Sequence, residues 1–240
     1  MTNKRPQLYI LSGAGISAES GLATFRDEDG LWAKFNIEEV CQIATWKQNR
    51  ESVHAFYNAR RQEIAKTQPN QAHFAIAEWS KSYPTQHFTQ NIDDLLEKAG
   101  ADDVCHLHGK ISEMLCTACT HTWNIGTADW STDQRCPKCD SYRGVKPNVV
   151  FFGEQAPNYP KFWKVIENLI TPEDTLLVMG TSGRVINVDE IAAELKCYKI
   201  LNNLSEDESI QGNKFDKVFY MPATQAVAEI SKVLVTKFKI

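Results

Sequence analysis

The sequence predicts an α/β fold: a mostly parallel sheet with helices on both faces, carrying a small metal-stapled module. Three observations lead there. Short apolar runs that end in glycine or polar clusters recur along the chain, and each is followed by a stretch with helical spacing. Two Cys-x-x-Cys pairs sit close together in a segment rich in Thr, Asp and Lys. The chain has 240 residues, 42% hydrophobic and 23% charged, enough for one large domain with a small appended unit.

The first run, "QLYIL", leads into "SGAGISAESG", where "GAGISA" matches G-x-G-x-x-A, a pattern that lets backbone amides approach a pyrophosphate. The acidic residue that usually follows about 20 positions later is not evident, because Asp27 and Glu28 lie nearer. A standard dehydrogenase geometry is therefore not expected. From about residue 31 to 80 no strand stands out. "ESVHAFYNARRQEIA" and "QAHFAIAEWS" have helical spacing, so this segment reads as a helical insertion.

The second run is "HFTQNID", followed by "DLLEKAG". Next comes "CHLHGKISEMLCTACT", and from about residue 111 to 148 the chain holds Cys116, Cys119, Cys136 and Cys139 in the order C-x₂-C-x₁₆-C-x₂-C. Each pair places two thiolates on one tight turn, and the intervening segment can fold back as a short antiparallel unit. Four thiolates around one tetrahedral ion leave no open position, so the zinc should be structural. His106 and His108 are then not needed as ligands. Although His121 could compete, four cysteines are already available. Cys41, Cys105 and Cys197 read as small buried residues.

Three more runs follow. "DTLLVMG" leads into "TSGRVINVDEIAAEL", read as a helix; "YKILNN" and "DKVFYM" read as strands, the last before the amphipathic "TQAVAEISKVLVTKF". The alternating runs occupy about residues 1–30, 81–110 and 149–240, and two segments interrupt them, the helical insertion at 31–80 and the metal module at 111–148. The strand ends supply "GTSG", suited to phosphate or ribose contacts, and "TQNID", whose Asn-x-Asp can bond an amide or a sugar.

Several function classes are excluded or disfavoured. A net charge of −4 argues against a general nucleic-acid binder, which needs a clustered basic surface. The N-terminal apolar run is too short for a signal-peptide core, and nothing approaches the roughly 18 apolar residues of a membrane span. Seven cysteines with two Cys-x-x-Cys pairs suit metal ligation in a reducing compartment. A cytoplasmic monomer is the expectation.

In combination, "GAGISAESGLATFR", "TQNID", His108-Gly109, the two cysteine pairs, "NVVFFGE" and "GTSG" resemble the sirtuins, NAD-dependent protein-lysine deacylases, in order and spacing across nearly the whole chain. "FRDEDGLW" and "FYNARRQ" bring the likeness closest to the short bacterial members. The resemblance implies that the alternating runs, about residues 1–30, 81–110 and 149–240, make a Rossmann-like large domain, that the interruptions at 31–80 and 111–148 make a small domain of helical and zinc modules, and that NAD meets an acyl-lysine in a cleft between them. It implies His108 as general base, Asn91 as a second catalytic residue, and a structural role for His106. Gly13, Ala14, Gly15 and Ser17 match the diphosphate loop, and Phe25 and Arg26 the loop over the nicotinamide ribose. Gln90, Asn91, Ile92 and Asp93 match the ribose and nicotinamide pocket. Gly180, Thr181 and Ser182, then Asn202, Asn203 and Ala223, match the adenosine side. Val150, Phe151, Phe152, Gly153 and Glu154 match the stretch that binds substrate.

The chemistry implied needs such residues. The acyl oxygen attacks the anomeric carbon of NAD, nicotinamide leaves, and a base activates a ribose hydroxyl, a task suited to a histidine of pKa near 6.5. Products are free lysine, nicotinamide and O-acyl-ADP-ribose. Tyr57 and Arg60, at i and i+3, share a helix face. They match the Tyr-x-x-Arg of members that remove succinyl and malonyl groups, where the guanidinium binds a carboxylate. Deacetylation and desuccinylation are both expected.

Three stretches depart from the family pattern: Ser12 for the usual Thr, Lys146-Pro147 for Arg-Pro, and "GRVINV" after Thr181-Ser182, in a segment that helps hold the peptide as an added strand. Rival readings are NAD hydrolysis or ADP-ribose transfer in the same cleft, a non-catalytic NAD sensor, and a zinc-ribbon nucleic-acid module.

Overall fold

The structure is a computed structural model that describes residues 5–23 and 35–239. Phe25 and Arg26 lie outside the described residues.

Parallel strands buried on both faces read as continuous apolar runs. β1 (Leu8–Ser12) and β7 (Thr175–Met179) are of this kind, buried at every position. Around them lie β2 (Thr85–Thr89), β3 (Val104–His106), β8 (Tyr198–Asn203) and β9 (Lys217–Tyr220), in the order β3-β2-β1-β7-β8-β9. All five pairings are parallel. The strand order reverses between β1 and β7, and ligands of doubly wound sheets bind at such a switch point, beyond the carboxyl ends of the strands.

Side chains alternate between the two faces, as a strand's period of two requires. Leu8, Ile10, Leu177 and Met179 join one apolar cluster with α4 (Gln71–Ser82) and α8 (Ala223–Phe238). Tyr9, Leu11, Leu176 and Val178 join the other with α6 (Tyr159–Asn168) and α7 (Val188–Glu194). Two four-residue helices, α1 (Gly15–Ala18) and α5 (Leu95–Lys98), follow the ends of β1 and β2.

A second sheet is antiparallel: β4 (Gly109–Cys116) pairs with β5 (Thr122–Asn124) and with β6 (Val145–Val149). α2 (Ile37–Val40) precedes α3 (Arg50–Lys66), whose Val53, Phe56, Tyr57 and Ile64 pack with Ile111, Val149 and Phe151. Side chains of α3 also stitch it to backbone of the cysteine-bearing segment. Asn58 donates to the Trp130 carbonyl (3.0 Å) and accepts from its N–H (2.9 Å). Arg61, 1% exposed, donates to the carbonyls of Ala128 (3.0 Å) and Ile111 (3.2 Å).

Three expectations need correction. The helix in "QAHFAIAEWS", assigned from sequence to the helical insertion, packs on the parallel sheet: Ala72, Ile76, Ala77 and Trp79 belong to the cluster of β1, β7 and α8. Spacing reveals that a helix has an apolar face but not which partner covers it. The helix expected throughout "TSGRVINVDEIAAEL" forms only from Val188, because Gly183 takes φ +70° and Asn187 caps α7 by accepting from the Glu190 N–H. Finally, Cys105, expected to be buried, is half-buried in β3, a strand whose three residues are too few to carry a periodic pattern. Among the described residues no helix is long and apolar enough to cross a membrane.

Candidate functional site

The metal centre is built from two matching turns. The Cys116 N–H donates to the His121 carbonyl (2.9 Å) and the Thr120 N–H to the Cys116 carbonyl (2.8 Å). In the second turn the Cys136 N–H donates to Ser141 (2.8 Å) and the Asp140 N–H to Cys136 (3.0 Å). Thr120 (φ +59°) and Asp140 (φ +60°) stand in the left-handed region at equivalent places. The four Sγ atoms lie within 4.8 Å of one another, Cys116 to Cys139 at 3.6 Å and Cys119 to Cys136 at 3.7 Å. Thiolates bound to one zinc at about 2.3 Å stand about 3.8 Å apart along a tetrahedron edge, so the residues present fit the ion. His121 stacks on Trp123 instead (ring centroids 5.6 Å, 17° between planes).

At the switch point three glycines interlock. The Gly13 N–H donates to Met179 (3.0 Å) and the Gly15 N–H to Gly180 (2.8 Å). A Cβ on Gly13 would stand 2.7 Å from the Gly180 carbonyl oxygen, and one on Gly15 2.7 Å from the Gly180 Cα. Gly180 itself has φ +63°. Ala14 lies between the first two glycines as the residue before α1.

The other strand ends are tied to this turn by side chains. Thr181 Oγ1 accepts from Gln90 Nε2 (2.8 Å), while the Thr181 N–H donates to Asn203 Oδ1 (3.1 Å) and its carbonyl accepts from Asn203 Nδ2 (2.9 Å). Asn202 Nδ2 donates to the carbonyls of Phe219 (2.8 Å) and Met221 (3.0 Å). Ser182 is half-buried beyond Thr181, and the buried Ala223 opens α8.

Ser17 is the hub of a buried network. It accepts from Asn91 Nδ2 (3.1 Å) and donates to Asp93 Oδ2 (3.1 Å). His73 Nδ1 accepts from the Asn70 N–H (3.2 Å), which leaves Nε2 carrying the proton it offers to Ser17 Oγ (3.3 Å). Burial raises the Asp93 carboxyl above its usual range, against bonds from the Leu95 N–H and Ser17 that lower it. Ile92 is half-buried and its carbonyl accepts from Ile111. Asn91 Oδ1 is buried with no hydrogen-bond partner among the described residues, as is Asn202 Oδ1. Two amide oxygens left open in this way, one near each side of the glycine turn, fit a ligand with N–H or O–H donors such as a carboxamide and a ribose.

His106 and His108, at the end of β3, grip the backbone of the "TQN" turn. His106 is buried, with Nδ1 against the Asn91 carbonyl (2.8 Å) and Nε2 against Glu97 Oε1 (2.8 Å). His108 Nδ1 lies 2.9 Å from the Gln90 carbonyl and Nε2 3.0 Å from the Tyr159 hydroxyl. A carbonyl can only accept, so Nδ1 carries the proton and Nε2 the lone pair. Desolvation lowers the His108 pKa below the ordinary 6.5, and the Gln90 bond partly opposes it. Such a ring is neutral near pH 7, with a basic nitrogen free to exchange its partner.

The strand edge beyond β6 continues from the same place. The Val150 N–H donates to the His108 carbonyl (2.9 Å), the Phe151 N–H to Glu154 Oε2 (2.9 Å) and the Phe152 N–H to Cys41 (2.7 Å). Phe151 is buried and stacked on Tyr57 (5.8 Å, 21°), whereas Phe152 is 45% exposed and Gly153 turns the chain at φ +79°. Glu154 holds the buried Lys146 ammonium (2.9 Å). Tyr57 places its hydroxyl 3.6 Å from Cys41 Sγ. Arg60, 7% exposed, pairs with Glu63 (2.8 Å) and donates to the Ala23 carbonyl (3.3 Å).

The structure thus brings the glycine turn, the "TQNID" and "GTS" segments and His108 to one end of the parallel sheet. Val150–Glu154 continues that cluster, and Tyr57 meets it through Phe151. Sequence reasoning missed Tyr159, His73 and His87, while Cys41, read as a small buried residue, is buried. His87 Nε2 bonds Ser12 Oγ (2.9 Å), which in turn donates to Thr89 (2.9 Å). His87 lies inside "HFTQNID" and His73 inside "QAHFAIAEWS", but as a strand and a helix position that carry no functional signature, and only the fold sets these residues beside the cluster.

A model of the Sir2 family matches residues 13–187. A Helicobacter hepaticus protein named NAD-dependent protein deacylase is 43% identical, the alignment covering 95% of this chain and 97% of the relative. The protein of that name from Escherichia coli K12 is 34% identical over 98% of this chain and 85% of its own. Among solved structures, a Sir2 homologue in complex with NAD superposes with a TM-score of 0.81 at 31% identity, covering 97% of this chain and 90% of the other. A mutant Sir2 homologue bound to ADP-ribose gives 0.84 at 30% identity, covering 98% and 94%. With the family's pattern spanning most of the sequence and relatives of this identity aligned from end to end, the chain belongs to the Sir2 family, the sirtuins.

Proposed function

We propose that the protein is an NAD-dependent protein-lysine deacylase that acts on acylated lysines of cytoplasmic proteins and removes both acetyl and short dicarboxylic acyl groups. The observation that supports the reaction best is His108. It is a neutral histidine, single in tautomer, held at the carboxyl ends of the parallel strands by the Gln90 carbonyl, and the residue after Gln90 is Asn91, whose amide oxygen is open. NAD, when bound, supplies a ribose whose bond to nicotinamide is broken and whose anomeric carbon accepts the acyl oxygen.

This chain's residues do the rest. Asn91 and Asp93, held by Ser17, orient the carboxamide end; Gly13, Ala14 and Gly15 let the backbone approach the diphosphate; Thr181, Ser182, Asn202, Asn203 and Ala223 receive the adenosine end. His108 takes a proton from a ribose hydroxyl, so that this oxygen can attack the acyl carbon. The peptide adds as a strand beside Val150–Gly153, where Phe152 is exposed. Tyr57 and Arg60 receive an acyl carboxylate, with Glu63 as the competitor for the guanidinium. The zinc module holds α3 in place and takes no part in the chemistry.

The test is mass spectrometry of one lysine peptide in acetyl and succinyl forms, with and without NAD, following peptide and nucleotide. NAD-dependent loss of either acyl group with O-acyl-ADP-ribose supports the reading, and the ratio of rates measures the Tyr57 and Arg60 contribution. Free ADP-ribose with an untouched peptide would overturn it in favour of NAD hydrolysis.

A further inference from the structure

The Nε2 lone pair of His108 faces a protein hydroxyl in this structure, that of Tyr159 at 3.0 Å. Because Nδ1–H is committed to the Gln90 carbonyl, Tyr159 must be the donor. Tyr159 is half-buried at the first position of α6, and this end of the helix is anchored to the turn that carries the base. Asn158 Nδ2 donates to the His106 carbonyl (2.7 Å), the Tyr159 N–H donates to the Ala156 carbonyl (3.2 Å), and Pro160 restrains the first turn. The imidazole is therefore held at both nitrogens, by a strand-end carbonyl on one side and a helix-start hydroxyl on the other.

We propose that Tyr159 is a positioning residue for His108: with the tautomer set by the Gln90 carbonyl, its hydroxyl fixes the ring orientation of the base and occupies Nε2 until a ribose hydroxyl replaces it. This rests on the deacylase reading above. One O–H donor is exchanged for another, so the basic nitrogen is never left buried without a partner, and the ring does not have to turn to meet the substrate. When the ribose O–H bond breaks, its proton forms the Nε2–H bond and the oxygen's electron pair forms the new bond to the acyl carbon, whose C=N π pair moves onto the lysine nitrogen. Tyr159, whose oxygen also accepts, then receives the hydrogen bond of the protonated ring. Burial raises the Tyr159 pKa, so it acts as a neutral phenol throughout.

The experiment is Tyr159→Phe in the full chain, with two rates measured on the same acyl peptide: deacylation, and exchange of labelled nicotinamide into NAD, which precedes the use of the base. The expected result is a fall in kcat for deacylation of about tenfold, with the peptide KM and the exchange rate unchanged. Equal loss of both rates, or loss of neither, would overturn the proposal. A spectroscopic arm does not depend on turnover. In the ligand-free protein the ¹⁵N resonances of His108 should show Nδ1 protonated and Nε2 as a hydrogen-bonded acceptor, and the Nε2 line should move toward a free acceptor in Tyr159→Phe. A proton on Nε2 in the unsubstituted protein, or a line that does not move, would overturn it. Absence of NAD-dependent deacylation in the unsubstituted protein would instead sink the deacylase reading, and the ¹⁵N spectrum would still decide the role of Tyr159.

Discussion

At His108 the protein meets two demands that pull apart: the base must be desolvated enough to sit in a dry cleft, yet basic enough to take a proton. Desolvation lowers its pKa, and because the neutral ring is the active form, the rate should stay level as pH falls through 6.5 and drop only lower, through the depressed value. A kcat profile whose acid limb lies above 6.5 would contradict this. His108→Ala should reduce deacylation by about 10²–10⁴-fold while leaving NAD binding intact, as measured by calorimetry. At Arg60 the competition is with Glu63, 2.8 Å away. Arg60→Met should lower kcat/KM for succinyl-lysine by about 10–100-fold, one or two charge-assisted bonds, and change acetyl-lysine much less. Equal effects on both substrates would remove the carboxylate role.

At the scale of elements, α3 and the cysteine-bearing segment form one unit because side chains from the helix satisfy loop backbone that has no strand to pair with. Asn58 meets both backbone polar groups of Trp130. Asn58→Ala strands a buried N–H and C=O together, and should cost about 1–3 kcal/mol, read as a lower midpoint in chemical denaturation. No change would mean that water replaces the side chain at no cost. The turn between β1 and α1 is equally demanding. A methyl on Gly13 meets the Gly180 carbonyl at 2.7 Å, so Gly13→Ala must push the ends of β1 and β7 apart, with a loss of about 1–3 kcal/mol. The glycine pattern is thus required by packing before any ligand arrives.

For the whole molecule, stability should depend on pH through buried histidines. Burial lowers His54 and His73 to about 4 and His87 to about 3. In the unfolded chain these rings take up protons from about pH 6.5 downward, whereas in the native state they stay neutral until pH 3–4. Stability is therefore full above 6.5 and falls progressively as pH drops toward 3–4, by about 1.4 kcal/mol for each ring and each pH unit. Urea midpoints between pH 7.5 and 4.5 check this, and a flat profile would refute it. Zinc contributes on the same scale, because four thiolates closing on one ion join the two turns across a small apolar cluster of Met114, Trp130 and Val145. Chelation should lower the unfolding temperature, and an unchanged value without the metal would rule out a structural ion.

How much of this was legible in the sequence follows from the range of each interaction. "QLYIL" and "DTLLVMG" announce central strands because burial on both faces demands unbroken apolar runs, and the Cys-x-x-Cys pairs announce a tetrahedral site because two local turns supply all its ligands. These are properties of consecutive residues. What only the tertiary structure decided involves residues far apart in the chain. The side of the molecule that α4 covers, the linkage of Gln90 to Thr181 and Asn203, and the hydroxyl of Tyr159 on a base 51 residues away are of this kind. Each depends on which strand ends lie side by side, and a local pattern of hydrophobicity or motif spacing does not encode that neighbourhood.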